Sequence, residues 1–428
     1  MLMTPKRRGV AVALAACLAV LGLTALSAKA NSSPARAPVV AKVSPAAEVV
    51  GKGQDEDEDD DSRDPQILTF STVGDSRQDP VSPDPSQLPV SAQDQHWLEN
   101  TKAFSRILDT AHEQKAQLFI FNGDMIMGYG NAIVPSKTAT VSDIVGSDLF
   151  NFYIQYGFWR GLVARTMERG IYVVPVAGNH ETQWKKAPDG GKHAQAANED
   201  AWRVNMGDLI MDSARFTNLF GEAPTSIDNA DHASLDGLPN NQSQLSYSFD
   251  FRGVHFAVIN TDPSGTPATH TYFDATAPTN WLKADLAAAQ GRGVIRSFVF
   301  GHKPAFTYDY LVDSMGNPIP VAPAGLDNSP TLRDAFWEVI QQYGATYFCG
   351  HEHIFHIAKF GTAWQVLVGS GGSPFEVGPG IPTLNPNTDR DYAWATVKVY
   401  RSGKVKLTAY GFDEHYGPTK VIQKVTIH

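Results

Sequence analysis

Five short polar motifs, each placed directly after a predicted β-strand, constrain the fold of this 428-residue chain more than any other feature. They are GDSR at 74–77, GD at 123–124, GNHE at 178–181, GH at 301–302 and GHEH at 350–353. Ligands of open α/β sheets bind beyond the carboxyl ends of the strands. Such an edge can gather the side chains of all five motifs around one point, and the glycines permit the sharp turns that this requires.

Between the motifs, short apolar runs alternate with stretches that have the apolar spacing of a helix. We predict strands at 67–73, 118–121, 171–176, 295–300 and 346–349, and helices at 93–114, 149–168, 281–290 and 332–343. We further predict a hairpin of 246–251 and 254–260 that turns at Arg252-Gly253, and late antiparallel strands at 366–368, 393–399 and 405–409. This order predicts an α/β fold, a four-layer α/β/β/α sandwich of two mixed sheets flanked by helices.

Four long segments rich in Gly, Pro, Asn, Asp and Ser interrupt this pattern, at 125–147, 183–243, 262–280 and 308–330. Segments of this length without predicted structure are usually functional or mobile. We therefore expect them to carry the substrate specificity of the protein.

The N-terminus has the pattern of a cleaved export signal over residues 1–30. A basic start at 6–8 precedes an apolar stretch, and Ala28-Lys29-Ala30 supplies the small residues of a cleavage site. An uncleaved anchor and a lipoprotein attached at Cys17 are less favoured alternatives, since the apolar run is marginal for a span and continues past Cys17. The sequence thus predicts a periplasmic or extracellular protein with no stable membrane span after signal removal.

Residues 31–66 are predicted to be a disordered acidic linker, and 67–428 one catalytic domain. The run 55–61 holds seven carboxylates, which is most of the net charge of −10. No segment is basic enough to indicate nucleic-acid binding. Once Cys17 leaves with the signal, Cys349 is the single remaining thiol, which excludes an internal disulfide and a cysteine zinc site.

The residue types of the five motifs suit a metal ion. Carboxylate and amide oxygens and imidazole nitrogens are ligands for manganese, iron or zinc. One carboxylate can bridge two ions, and two ions about 3.5–4 Å apart can hold a phosphoryl oxygen and activate water. The sequence therefore predicts one or two divalent or trivalent ions and a phosphorylated substrate.

The order GD, GD, GNHE, lone GH and GHEH resembles the calcineurin-like metallophosphoesterase superfamily, including the purple acid phosphatases, over roughly 67–410. The resemblance implies metal-dependent hydrolysis of a phosphate ester. It implies the metal ligands Asp75, Asp124, Asn179, His302, His351 and His353, with Asp124 bridging two ions. It also implies that His180 protonates the leaving oxygen or steadies the phosphoryl group, and that Glu181 orients His180 through a hydrogen bond.

One position departs from the family pattern. The first motif is usually Asp-x-His, and here the third residue is Arg77, whose guanidinium cannot ligate a cation. The purple acid phosphatases have a tyrosine where this chain has Met127. The metal site formed by Asp75, Asp124 and His353 is therefore weak, empty, or completed by water, Gln78 or Tyr129. Arg77 itself either binds substrate phosphate or forms an ion pair with a nearby Asp.

Other readings of the motifs stay open at this point. A non-catalytic protein of the same fold that binds a phosphoryl ligand or a cell-envelope partner is the alternative function. A zinc peptidase is poorly supported, because the sequence contains no H-E-x-x-H. The remaining histidines are expected to be structural. His356 lies between a structural and a substrate-contacting role, because it follows His353 by three residues. Arg77 favours a phosphate monoester over a diester.

Overall fold

The computed structural model describes residues 63–77, 92–187, 190–265 and 275–428, with the backbone alone for 92–100. The predicted signal over 1–30, Cys17, most of the predicted linker and Gln78 lie outside these residues. Within them, no helix combines the length and the apolar character that a membrane span needs. Cys349 is a buried free thiol.

The strands of the described residues are numbered in chain order. They are β1 Gln66–Val73, β2 Leu118–Phe121, β3 Tyr172–Pro175, β4 Gln183–Trp184, β5 His193–Ala194, β6 Thr225–Asp228, β7 Tyr247–Phe251, β8 Val254–Val258, β9 Arg296–Phe300, β10 Thr346–Cys349, β11 Phe355–Phe360, β12 Ala363–Val368, β13 Asp391–Tyr400, β14 Val405–Asp413 and β15 Lys420–Thr426. The helices are α1 Ala92–Glu113, α2 Val141–Val145, α3 Asp148–Glu168, α4 Asn179–Thr182, α5 Ala196–Met206, α6 Ser213–Phe220, α7 Thr279–Arg292 and α8 Pro330–Gln342.

Two mixed sheets form the centre of the fold. The first has the strand order β15-β14-β13-β1-β2-β3, and its strands β1, β2 and β3 are parallel. The second has the order β11-β12-β10-β9-β8-β7-β6, and its strands β8, β9, β10 and β12 are parallel. Each sheet thus presents the carboxyl ends of neighbouring parallel strands at one edge.

The sheets pack face to face with helices on both outer sides. The ring of Phe70 in β1 lies 5.1 Å from that of Phe298 and 5.7 Å from that of Phe348, both in the second sheet. On the outer face of the first sheet, Phe121 contacts Trp159 of α3 at 5.3 Å. On the outer face of the second, Phe336 of α8 contacts Tyr347 at 5.1 Å. The predicted four-layer α/β/β/α sandwich is confirmed.

The predicted hairpin is confirmed, since β7 and β8 pair antiparallel across Arg252 and Gly253, both with positive φ. The prediction for 366–368 was wrong in part, because this segment belongs to β12, which runs parallel to β10 and antiparallel to β11. The long segment 183–243 also contains two helices, α5 and α6. These helices were not predicted, because the segment is rich in turn-forming residues and its runs with helical apolar spacing are short.

Candidate metal centre

The carboxyl ends of five parallel strands place the five motifs at one edge. Asp75 follows β1, Asp124 follows β2, and Asn179 opens α4 just beyond β3. From the second sheet, His302 follows β9 and His351 follows β10. Their separation along the chain reaches 276 residues, yet the backbone amide of His351 donates to Oδ2 of Asp75 at 2.9 Å.

Unusual backbone conformations accompany these residues. Asp75, Asp124 and His351 have φ values of 64°, 57° and 76°, in the left-handed region that side chains rarely occupy. Gly123 has φ 84°, and a Cβ there would lie 2.7 Å from Nδ1 of His302. Strain of this kind persists only where the surrounding structure fixes it, and it concentrates at functional sites.

Four side chains converge closely enough to share one ion; we call Asp124, Asn179, His302 and His351 the four-donor group. Oδ1 of Asn179 lies 2.9 Å from Nε2 of His302 and 2.7 Å from Nδ1 of His351. Nε2 of His302 lies 3.2 Å from Nδ1 of His351 and 3.1 Å from Oδ1 of Asp124. Neighbouring ligands at right angles on metal bonds of about 2.1 Å stand about 3.0 Å apart.

The protonation of His302 fits this role. Nδ1 of His302 donates to the Asn122 carbonyl at 2.7 Å, which directs Nε2 at the other donors. Burial opposes protonation, but the charge and hydrogen bond of Asp124 and the charge of Asp75 outweigh it and raise the pKa of His302 to about 10. The same negative field that holds a proton on Nε2 attracts a metal ion. Burial and the charges of His302 and Lys303 hold the pKa of His351 well below its usual range, so its imidazole is neutral, the form that binds metal.

The remaining predicted ligands form a separate arrangement, the Asp75–His353 pair. Oδ1 of Asp75 is buried without a hydrogen bond and lies 3.6 Å from Nε2 of His353. His353 donates from Nδ1 to the Pro374 carbonyl at 2.6 Å. Within the described part of the chain, Asp124, His302 and His351 make up the one cluster of three or more carboxylate, imidazole or thiol ligands. The Asp75–His353 pair is therefore the less complete site.

Arg77 occupies the space beside this pair. Its Nε donates to Oγ of Ser373 at 3.0 Å, and its Nη1 donates to Nε2 of His180 at 3.2 Å. Its Nη2 lies 3.3 Å from Nδ1 of His353. Burial first, and then the charge of Arg77, hold the pKa of His353 well below its usual range. No ion pair of Arg77 with an aspartate occurs among the described residues.

His180 is held as a neutral imidazole with its proton on Nδ1. That atom donates to the Met127 carbonyl at 2.6 Å, so Nε2 has a free lone pair toward Arg77. Burial lowers the pKa of His180 to about 3. Its ring packs on Tyr129 with 3.8 Å between centroids. In this state Nε2 carries no proton, and it accepts from Nη1 of Arg77.

The expected hydrogen bond between Glu181 and His180 is absent, and the prediction was wrong in that detail. Glu181 instead accepts from four backbone amides: Gly178 at 2.7 Å, Asp124 at 2.9 Å, Met125 at 2.8 Å and Ile126 at 3.2 Å. The buried carboxylate therefore fixes the turn that carries Asp124. The Met127 carbonyl orients His180 in its place.

A group of cations lies near the centre. The Nζ atoms of Lys185 and Lys192 lie 5.7 and 5.0 Å from the centre of the Tyr129 ring. The Tyr129 hydroxyl accepts a short hydrogen bond from Nδ2 of Asn179, which places this ring next to the four-donor group. Burial and then the charges of Lys185 and Lys303 lower the pKa of Lys192. The lysines lie in the long segment after GNHE, where composition alone does not distinguish them from solvated residues.

Other histidines have structural surroundings. His255 is buried between Asp250 at 2.7 Å and Asp285 at 2.9 Å. His356 stacks on Tyr308 with 3.8 Å between ring centroids, and burial lowers its pKa to about 4.

Comparison with known proteins gives a family match over most of the structured chain. The model of the calcineurin-like phosphoesterase family matches residues 94–355. These residues include four of the five motifs and every member of the four-donor group. No curated protein matches the sequence.

Several solved structures are similar at low sequence identity. A dimetal phosphatase from Danio rerio is 11% identical, with 85% of this chain and 99% of that chain covered and a TM-score of 0.46. A purple acid phosphatase from yellow lupin (Lupinus luteus) seeds is 13% identical, with 84% and 53% covered and a TM-score of 0.47, so the chain spans about half of that enzyme. The inner-membrane-complex anchor GAP50 of Plasmodium is 13% identical, with 84% and 88% covered and a TM-score of 0.44.

Proposed function

The chain belongs to the calcineurin-like phosphoesterase family, and from that premise we propose that it hydrolyses phosphate monoesters with one firmly held metal ion and Arg77 as its partner. Metal-dependent hydrolysis of phosphoesters is the chemistry of this family. The proposal adds the number of ions, the preference for a monoester and the roles of individual residues.

The spacing of the four-donor group carries the proposal. Two imidazole nitrogens and two oxygens form four close pairs of 2.7–3.2 Å, in which Asn179 pairs with both histidines, the histidines pair with each other, and Asp124 pairs with His302. Such an arrangement is repulsive unless a proton or a cation lies among them. Manganese, iron and zinc all suit this donor set. A bound ion supplies positive charge to a phosphoryl oxygen and makes water nucleophilic near neutral pH.

Arg77 supports a single ion and a monoester. Its guanidinium carries a fixed positive charge beside the Asp75–His353 pair, which disfavours a second cation there. Guanidinium binds phosphate oxygens well, and its gain is greatest for the more highly charged monoester. His180 holds Nη1 of Arg77 at 3.2 Å, so the cation is directed before substrate arrives.

The second candidate function is binding without turnover. Arg77 in place of the usual metal-ligating histidine favours it, because a member that lacks one ion can retain affinity for phosphate while losing hydrolysis. In that case the protein serves as a receptor for a phosphorylated ligand.

Hydrolysis of an aryl phosphate and a bis-aryl phosphate, with manganese, iron or zinc added in turn, tests these proposals. We expect turnover that a chelator abolishes and that is faster on the monoester. Binding of phosphate without turnover on either ester favours the receptor. Activity that survives both the chelator and Asp124→Asn contradicts metal-dependent hydrolysis.

Export is likewise a proposal. The basic start, apolar stretch and Ala28-Lys29-Ala30 support a signal that is cleaved after Ala30. The intact mass of the mature protein tests it, since cleavage there, retention of residues 1–30 and lipid attachment at Cys17 each give a different mass.

A further inference from the structure

An acidic cavity adjoins the four-donor group. Its volume is about 190 Å³, and it is lined by His351, Glu352, Glu376, Tyr310 and the small apolar side chains of Val321, Ala322 and Ala324. One water requires only about 15 Å³ of such space, so the cavity has room for a small organic group. Because His351 belongs to both, the cavity is continuous with the place where the ester bond would be cleaved.

Both carboxylates in the lining are available to a ligand. Glu352 is 5% exposed, and among the described residues its carboxylate accepts one hydrogen bond, from the Tyr308 amide at a long 3.4 Å. Glu376 is exposed and accepts from the His353 amide at 3.3 Å. No lysine or arginine is among the lining residues. Burial and the charge of Glu376 raise the pKa of Glu352 to about 8, so near neutral pH the negative charge of the cavity is mainly that of the exposed Glu376.

The surroundings extend this negative charge. The carboxylate of the exposed Asp309 accepts from the amide of Val321, a lining residue, at 2.9 Å. The ring of Tyr310 adds an aromatic surface, which attracts cations. The apolar side chains of Val321, Ala322 and Ala324 favour an organic cation over a hydrated metal ion. Consistent with this, Glu352 and Glu376 belong to no cluster of three metal-type ligands among the described residues.

The positive charges lie elsewhere around the centre. Arg77 faces His180 and His353, and Lys185 and Lys192 surround the Tyr129 ring. The site therefore has a cationic part suited to a phosphoryl group and, beyond His351, an anionic part suited to a positive group. A substrate with both charges satisfies both parts.

We propose that the alcohol released by this enzyme carries a positive charge, and that its ammonium group binds in the cavity between Glu352, Glu376 and Tyr310. The substrate class is the phosphate ester of an amino alcohol, with phosphocholine and phosphoethanolamine as the simplest members. This inference rests on the proposed phosphoesterase function and adds the chemical class of its substrate.

A matched pair of esters tests the charge alone. Phosphocholine and 3,3-dimethylbutyl phosphate have the same shape, with nitrogen in the first replaced by carbon in the second. We expect kcat/KM to favour phosphocholine by about tenfold or more. Glu376→Gln should bring the ratio toward one, whereas Glu168→Gln, an exposed change on α3, should leave the ratio as in the wild type. Equal or faster hydrolysis of the neutral ester overturns the inference, and so does an aryl phosphatase that cleaves neither ester.

A binding measurement separates this inference from the proposed function. Calorimetry with choline, and with 3,3-dimethylbutan-1-ol as its neutral counterpart, requires no turnover. We expect saturable binding of choline, weakened several-fold by Glu376→Gln, and none of the alcohol. If no phosphate ester is hydrolysed, the proposed function fails while choline binding still decides this inference. Absence of choline binding overturns it.

Discussion

The four-donor group and the Asp75–His353 pair lie at the same edge of the two sheets and differ in what surrounds them. In the first, the four donors form close pairs of 2.7–3.2 Å, and no lysine or arginine of the described residues is hydrogen-bonded to the donor atoms. In the second, two donors lie 3.6 Å apart and the guanidinium of Arg77 is next to His353. The fold thus provides two neighbouring positions for positive charge, and the guanidinium of Arg77 lies beside the second of them, the Asp75–His353 pair.

The largest expected effect separates the two regions directly. Asp124→Asn removes the charge that draws a cation to His302, so we expect kcat/KM for an aryl phosphate to fall by more than about a hundredfold. Asp75→Asn, the matched change in the other region, should cost clearly less. Steady-state kinetics on both variants, with thermal unfolding as the control for folding, provides the measurement. A greater loss from Asp75→Asn would reverse the ranking of the two regions.

The next effect concerns the cation beside the pair. Arg77→Gln removes charge-assisted hydrogen bonds worth about 1.5–3 kcal/mol, which corresponds to a loss of about 10–100-fold in kcat/KM on a monoester. The loss should be smaller on a bis-aryl phosphate, because a diester presents less charge. Rates on both esters, compared between the wild type and the variant, give the result. An equal loss on the two esters would mean that Arg77 does not distinguish them.

A third prediction concerns a variant that adds a metal ligand to the Asp75–His353 pair. Arg77→His removes the guanidinium and supplies a third donor beside Asp75 and His353. We expect the metal content to rise from one ion per chain toward two, with the second bound more weakly. Arg77→Gln, which removes the charge without adding a donor, is the control and should stay at one. If both variants gain a second ion, the charge of Arg77 alone kept that ion from binding, and the added histidine is not needed as a ligand.

The smallest effect concerns how the four-donor group is held in place. Glu181→Gln puts an amide nitrogen where a carboxylate oxygen accepts from backbone amides, at a cost of about 1–3 kcal/mol. For a domain of this size we expect the unfolding midpoint to fall by about 3 °C. Differential scanning calorimetry measures it, with Glu168→Gln on an exposed helix face as the control. An unchanged midpoint would show that the amides around Asp124 do not depend on this carboxylate.

The positions of the site residues were predictable because the sequence marks them by local patterns. Apolar runs define the strands, and the residues at their ends necessarily meet at one edge, so Asp124, Asn179 and His302 could be placed together without coordinates. The departure at Arg77 was also visible, since a residue type reveals its charge. Its contacts with Ser373 and His180 were not, because they join segments up to 296 residues apart.

What the sequence could not predict are contacts with backbone groups and between distant loops. The Met127 carbonyl that orients His180 has no signature in residue type, since every residue has a carbonyl. The same holds for the four amides that bind Glu181. The cavity joins Tyr310, Glu352 and Glu376, and their meeting depends on loop paths that periodicity does not describe.

The most direct test of the account is the metal content of the purified wild-type protein, measured by elemental analysis alongside its hydrolysis of an aryl phosphate. We predict one manganese, iron or zinc ion per active chain, lost together with activity in Asp124→Asn. Two ions per chain with Arg77 in place, or full activity in protein that holds no metal, would contradict it.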